Sequence, residues 1–189
     1  MIKLIVGLGN PGLQYERTRH NVGFLFLDRL VFGSGHGWVR ESRFDGLLSE
    51  IESEGARVML LKPGTFMNRS GQAVGKVARY YKLVPEEILV VHDELDFDVG
   101  VVRLKKDGGH AGHNGLKDII AHLGSKEFYR LRIGIGRPVS SRVVADFVLS
   151  DPSTSEWNSL LLAFSLADSY VGQMIAGDLS VVMNKLNSS

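Results

Sequence analysis

The sequence predicts an α/β fold: a single-domain three-layer sandwich, with helices on both faces of a mixed, centrally parallel, twisted sheet. Three observations carry that expectation. Six short runs rich in Val, Ile or Leu have the length of strands. Segments with apolar residues at helical spacing fall between them, the alternation that builds a parallel sheet. The second and third runs stand too close together for a helix to separate them, so they form a hairpin and make the sheet mixed.

In chain order, the first strand spans Ile2–Leu8 and a helix follows over Asn21–Val31. Gly33 to Gly37 reads as a surface loop. The hairpin strands fall around Leu47–Glu52 and at Arg57–Leu61. Ser70 is placed to cap a helix carrying Val74, Val77, Ala78 and Tyr81. Strands follow at Ile88–His92 and around Val101–Lys105. A helix starts near Asn114 and ends before Gly124, which suits the left-handed position past a helix end. The last strand is Arg130–Ile135. Ser153-Thr154-Ser155-Glu156 reads as a capping box. It launches one long amphipathic helix through Trp157, Leu160, Leu161, Phe164, Ala167, Val171 and Met174, of which Trp157, Phe164 and Met174 read as core. A short helix after Asp178 closes the chain.

Bulk properties narrow the function classes. A chain of 189 residues, 44% hydrophobic, fits one domain over residues 1–189. Such a chain buries about 70% of its unfolded surface, so it needs no covalent staples. The absence of cysteine excludes disulfides and thiolate metal sites and suits a reducing compartment. No apolar run reaches the ~20 residues of a membrane span, and Met1 leads almost directly into a strand, so the expected location is the cytoplasm. The net charge of +1 says little, but its distribution says more. Between Val101 and Arg142 there are nine Lys or Arg and three acids, whereas Val143 onward holds five acids and one Lys. A local basic face suits a polyanion, nucleic acid first, although an unevenly charged solvated surface would look the same.

The opening Gly7-Leu8-Gly9-Asn10-Pro11-Gly12 matches the dinucleotide-binding spacing of glycines. That motif needs its third glycine to open a helix whose N-terminus receives a pyrophosphate. Here Glu16 to Asn21 is densely polar, the apolar helical pattern starts only at Val22, and no acid ends a second strand about 20 residues on. The glycines are read instead as letting the chain turn sharply after the first strand and present Asn10.

Ligands of parallel α/β sheets sit at the carboxyl ends of strands. Past those ends lie Asn10, His20, Asn68, Asp93, His110, His113 and Asn114. There is no nucleophilic cysteine and no Gly-x-Ser-x-Gly elbow. A histidine oriented by a carboxylate can activate water as a general base. Asparagine amides can hold a carbonyl, or the oxyanion it becomes, without titrating. The set fits hydrolysis of an activated carbonyl by directly activated water. Each residue also has an ordinary explanation: Asn10 and Asn114 as turn formers, Asp93 as a strand-end cap, His20 as an exposed histidine. His110 and His113 could ligate a metal, but no third ligand at suitable spacing accompanies them.

Six blocks in order, VGLGNPG, YERTRHNVGF, KPGTFMNRSG, VVHDELD, GGHAGHNGLKDI and RLRIGIGRP, closing with ADFVLS, make the chain resemble the bacterial-type peptidyl-tRNA hydrolases over nearly its whole length. The resemblance implies cleavage of the ester joining a peptide to the 3′ ribose of tRNA. It implies a monomer with no metal and no cofactor. It makes His20 the general base and Asp93 the group that holds its imidazole. Asn10, Tyr15, Met67, Asn68, His113 and Asn114 become the substrate-binding residues, and Lys105 with Arg132 the clamp on the tRNA 5′-phosphate. Phe97-Asp98, where the family often has Leu or Val and then Pro, and the Gly33 to Gly37 loop depart from the pattern. Neither is expected to touch a motif residue, and Asp98 is expected to add an acid near the basic cleft. Some plastid RNA-splicing factors resemble the same family without being hydrolases, so a non-catalytic RNA-binding protein is the alternative. A metal-dependent nucleotide hydrolase is a third reading.

Overall fold

The computed structural model describes residues 1–53, 55–138 and 144–188. Seven strands form one sheet: β1 (Leu4–Gly7), β2 (Val39–Glu41), β3 (Gly46–Ser53), β4 (Ala56–Pro63), β5 (Ile88–Glu94), β6 (Val102–Lys106) and β7 (Tyr129–Gly134). Their order across the sheet is β2-β3-β4-β1-β5-β7-β6. The central four, β4, β1, β5 and β7, are parallel, while β3 joins β4 and β6 joins β7 antiparallel. The short edge strand β2 has no hydrophobic run to announce it: Val39, Arg40 and Glu41 pair with β3 at a solvated margin.

Alternation along the strands sorts the core into two layers. Leu4, Val6, Leu61, Val90 and Phe128 face α2 (Ser70–Tyr81) and α3 (Asn114–Leu123). Ile5, Leu60, Leu89, Val91, Leu131 and Ile133 face the other way. There they meet α1 (Val22–Ser34), α5 (Thr154–Asp168), α6 (Val171–Ala176) and α7 (Leu179–Ser188). A short helix, α4 (Val144–Val148), lies between the last strand and α5. Among the described residues no helix is long and apolar enough to cross a membrane.

Several local expectations need correction. Ser70 does not cap α2; it is the helix's first residue, and its hydroxyl donates back to the Met67 carbonyl at 2.8 Å. The long C-terminal helix is two helices, broken at Ser169 and Tyr170, where a Ser hydroxyl turned back on Leu166 ends α5. Its capping box is present, with Ser153 and Glu156 exchanging bonds. Phe164 and Met174 are core, but Trp157 is half-buried beneath the guanidinium of Arg17. Leu161 points to solvent. Gly33 and Ser34 belong to α1, and Gly35 ends it in the left-handed conformation. Arg142, counted in the basic segment, lies outside the described residues.

The opening glycines serve packing more than turning. A Cβ on Gly7 would stand 2.4 Å from the Gly23 carbonyl oxygen, and one on Gly23 would stand 2.4 Å from both Leu8 N and Val91 O. Helix α1 therefore rests backbone-on-backbone against β1 and β5, which draws its N-terminus to the strand ends. Gly12 alone of the three has a positive φ, 117°. A Gly23→Ala variant is expected to lose about 3 kcal/mol, the upper range for overpacking a site where only main chain can yield. Gly33→Ala, in the same helix with nothing within 4 Å of its Cβ, should gain about 0.5–1 kcal/mol. Denaturant unfolding of the two variants checks the pair.

Candidate active site

The carboxyl ends of β1, β4 and β5 open into a cleft of about 890 Å³ whose lining includes Asn10, His20, Met67, Asn68, Asp93, His113 and Asn114 together with Lys105, Arg130 and Arg132. A larger groove of about 1030 Å³ shares Asn10 but contains none of the histidines.

Asp93, at the end of β5, is buried yet charged. Burial alone would raise its pKa, but His20 and His113, by charge and hydrogen bond, hold it well below the usual carboxylate range. His20 Nδ1 lies 2.9 Å from Oδ2 and His113 Nε2 lies 2.8 Å from Oδ1. Since the carboxylate only accepts, both ring nitrogens donate. His20 keeps its Nε2 for the cleft. Burial opposes charging of His20, but Asp93 outweighs it and raises the pKa above 6.5.

His20 owes its position to its neighbours. It sits in a 3-10 turn, Arg19–Asn21, that leads into α1. Asn21 reads both main-chain groups of Asn10: its Oδ1 accepts from Asn10 N–H at 2.8 Å and its Nδ2 donates to Asn10 O at 2.9 Å. Arg19 donates to Ser150, Asp151 and Glu156, and its guanidinium stacks 4.4 Å from the Phe147 ring centroid. With both flanking side chains buried and anchored, the imidazole between them turns to Asp93. The sequence reading missed Arg19 and gave Asn21 no role; their place on either side of His20 was the available signal.

Asn10 is fixed in turn. Its Oδ1 accepts from Met67 N–H at 2.7 Å, so its Nδ2 is the group left for the cleft. Met67 is buried beneath Gly115, whereas Asn68 and Asn114 are exposed on the rim. Tyr15 does not line the cleft; it meets Phe66, which does, edge-on at 6.3 Å. His113 precedes α3, and its Nδ1 accepts from Leu116 N–H at 3.4 Å, so its proton belongs on Nε2.

The basic segment is divided. Arg130 is buried and donates to the Gly108 and Gly109 carbonyls, fixing the loop that carries His110 and His113. Arg137 pairs with Asp96 and Arg103 donates to Leu186 O. Lys105 is exposed in the cleft and makes no ion pair among the described residues. Arg132 stands 3.7 Å from Glu94 and its guanidinium lies 4.6 Å from the Phe97 ring centroid. Phe97 thus touches a motif residue after all. Besides Asp93, the acids of the cleft are Glu94 and Asp96, while Asp98 is not part of its lining.

One group among the described residues could hold a metal: His20, Asp93 and His113, with ligand atoms within 4.8 Å of one another. His110 is not in it; its Nδ1 accepts from Gly112 N–H. A metal would need the Nε2 lone pair of His113, yet the Leu116 N–H puts the proton there, so the tautomer opposes it.

The family described as Peptidyl-tRNA hydrolase matches residues 4–189. A peptidyl-tRNA hydrolase of Methylococcus capsulatus is 56% identical over 187 residues, covering 99% of this chain and 100% of the relative. One of Bordetella parapertussis is 51% identical, covering 100% of this chain and 89% of the relative. The crystal structure of peptidyl-tRNA hydrolase from Acinetobacter baumannii superposes with a TM-score of 0.95 at 45% identity, over 98% of this chain and 94% of that one.

Histidine titration by NMR should separate two environments. His20 is expected to titrate above 6.5. His92, buried behind the cluster and pushed down to about 3, should stay neutral at moderate acidity. The sign for stability follows. The unfolded chain protonates His92 near 6.5 and the folded one does not, so stability falls as pH drops from there towards 3. The slope contributed is about 1.4 kcal/mol per pH unit. The His20 contribution is complete below 6.5 and is lost as pH rises through its folded pKa. Unfolding curves between about pH 4.5 and 6, at about half-unit spacing, should show the His92 slope in wild type and lose it in His92→Gln.

Proposed function

The chain belongs to the peptidyl-tRNA hydrolase family, which makes it an enzyme that hydrolyses peptidyl-tRNA, and we propose that it cleaves the ester to the 3′ ribose with water activated by His20. The observation that carries the reading is the buried Asp93, bonded to His20 Nδ1 at 2.9 Å while His20 Nε2 is left to the cleft. Water attacks the ester carbonyl as Nε2 takes its proton. Amide donors of Asn10, Asn68 and Asn114 suit the resulting oxyanion. Collapse expels the ribose 3′ oxygen, which recovers the proton from His20. An ester needs no covalent intermediate for this.

An enzyme that accepts any peptide must bind peptide backbone, and neutral amides match its donors and acceptors. Specificity for tRNA then falls to Lys105 and Arg132, read as a clamp on the 5′-phosphate. We read the protein as a cytoplasmic monomer that uses neither metal nor cofactor; the His113 tautomer is the support for the last point.

His20→Ala should lower kcat by about 10²–10⁴-fold, the range for a positioned base, with tRNA affinity kept. Asp93→Asn should lower kcat as well, and should move the acid limb of the pH–rate profile downward, because it removes the charge that raises the His20 pKa. Chelator should change none of these rates. If His20→Ala keeps wild-type kcat at every pH, His20 is not the base.

Lys105→Ala should raise KM for peptidyl-tRNA and leave a minimal ester lacking the 5′-phosphate unaffected. It should also reduce the log–log salt slope of tRNA binding by about 0.7–0.9, one phosphate contact. An unchanged slope would place the tRNA phosphate elsewhere.

A further inference from the structure

Three buried nitrogens of residues lining the cleft lack a hydrogen-bond partner among the described residues: His92 Nε2, Arg130 Nε and Arg132 Nε. The register of β5 with β7 sets His92 opposite Arg132. Their Cα atoms are therefore about 4.8 Å apart and their side chains share one face of the sheet. Arg130, two residues back on β7, shares it too.

The three groups are complementary. His92 Nδ1–H donates to the Asp93 main-chain oxygen at 2.7 Å, which leaves the lone pair on Nε2. Each arginine Nε–H can only donate. One water can donate to His92 Nε2 and accept from Arg132 Nε–H, the usual way such buried groups are satisfied. The other edge of His92 meets the reacting cluster. Its ring is edge-on to His113, centroids 5.0 Å apart at 73°, and His113 donates to Asp93.

We propose that His92 is a positioning residue that links Arg132, through a bridging water, to the His113–Asp93–His20 cluster, so that a phosphate held by Arg132 improves the alignment of the base. The inference rests on the clamp reading above. Arg130 cannot take this part, because its outer nitrogens are spent on Gly108 and Gly109. Arg132 keeps a looser contact, 3.7 Å to Glu94. A phosphate drawing on its outer nitrogens turns the guanidinium plane, and the Nε–H turns with it. An enzyme so built would react fastest when the far end of the correct RNA is seated.

The experiment compares kcat and KM on peptidyl-tRNA with its 5′-phosphate and after phosphatase treatment, for wild type, His92→Phe and His92→Gln. Wild type should lose in both constants on dephosphorylation. His92→Phe should have kcat lowered about 3–15-fold on the phosphorylated substrate, the worth of one hydrogen bond, and kcat indifferent to the phosphate, with the KM effect retained. His92→Gln, whose amide oxygen can accept near the Nε2 position, should recover most of the dependence. A measurement on unaltered protein needs no variant: the ¹⁵N resonance of His92 Nε2 should differ between complexes with a 5′-phosphorylated RNA minihelix and its dephosphorylated form. Equal phosphate dependence of kcat in wild type and His92→Phe overturns the relay, as does a His92 Nε2 resonance blind to the phosphate. If the wild-type KM itself ignores the phosphate, the clamp fails and the relay with it, a result distinct from loss of the relay alone.

Discussion

The carboxylate of Asp93 is the constraint around which the molecule is arranged. A charge taken out of water costs several kcal/mol unless it is paired and fully hydrogen-bonded. Asp93 meets that demand with one imidazole on each carboxylate oxygen, while a third ring, His92, donates to its main-chain oxygen. The three rings come from separate places: the turn before α1, the loop before α3, and β5 itself. Satisfying one charge therefore draws together both helical layers at the ends of the central strands. The backbone-on-backbone seat of α1 at Gly7 and Gly23 makes this possible, because it brings the turn carrying His20 within reach of β5.

The cleft that results has two chemically different ends. Around Asn10 the groups are neutral and their hydrogen bonds are assigned one by one. Asn21 takes the Asn10 main chain, Met67 N–H takes its Oδ1, and one amide nitrogen remains. Around Arg132 the groups are charged and loosely paired, with Phe97 as a flat support beneath the guanidinium. A neutral end can hold a reacting carbonyl without disturbing the base. A charged end can hold a phosphate. Burial moves Arg130 and Arg132 in the same sense, disfavouring their charged forms, yet both remain cations at neutral pH.

Much of this was legible in one dimension, and the gaps have physical causes. The central strands declare themselves because both faces are buried and both alternating sets are apolar. Strand β2 does not, since it is an edge of three residues with one charged side chain of each sign. The break after α5 was hidden because Tyr170, Val171 and Met174 continue a plausible apolar stripe while the backbone turns. His20, Asp93 and the three asparagines could be located as polar residues just past strand ends. Residue type and spacing alone do not tell Arg130 from Arg132; the family resemblance singles out Arg132. They are two apart on one strand face and both line the cleft, and the path of the Gly108–Gly109 loop decides that the outer nitrogens of Arg130 are spent on main-chain carbonyls. The close contact of Gly23 with β1 and β5 depends on tertiary packing, so its glycine looked like any other helical residue.

The charge count at the cluster explains why a lone histidine suits water as its substrate. The cluster holds one buried carboxylate: burial keeps His92 neutral, and His113 is oriented as a donor by the Leu116 N–H. On the mechanism proposed above, taking a proton from water would turn a neutral His20 and its Asp93 from a net negative pair to a net neutral one. The proton transfer thus relieves the burial of charge rather than adding to it, which is the physical content of a raised His20 pKa. On the same mechanism, the anion made in that step is the oxyanion on the substrate, which the neutral amides would hold beside the imidazolium. His113 gives the Asp93 carboxylate its second donor, and because the Leu116 N–H occupies its Nδ1, the loop joining β6 to α3 fixes one half of that carboxylate's hydrogen bonding.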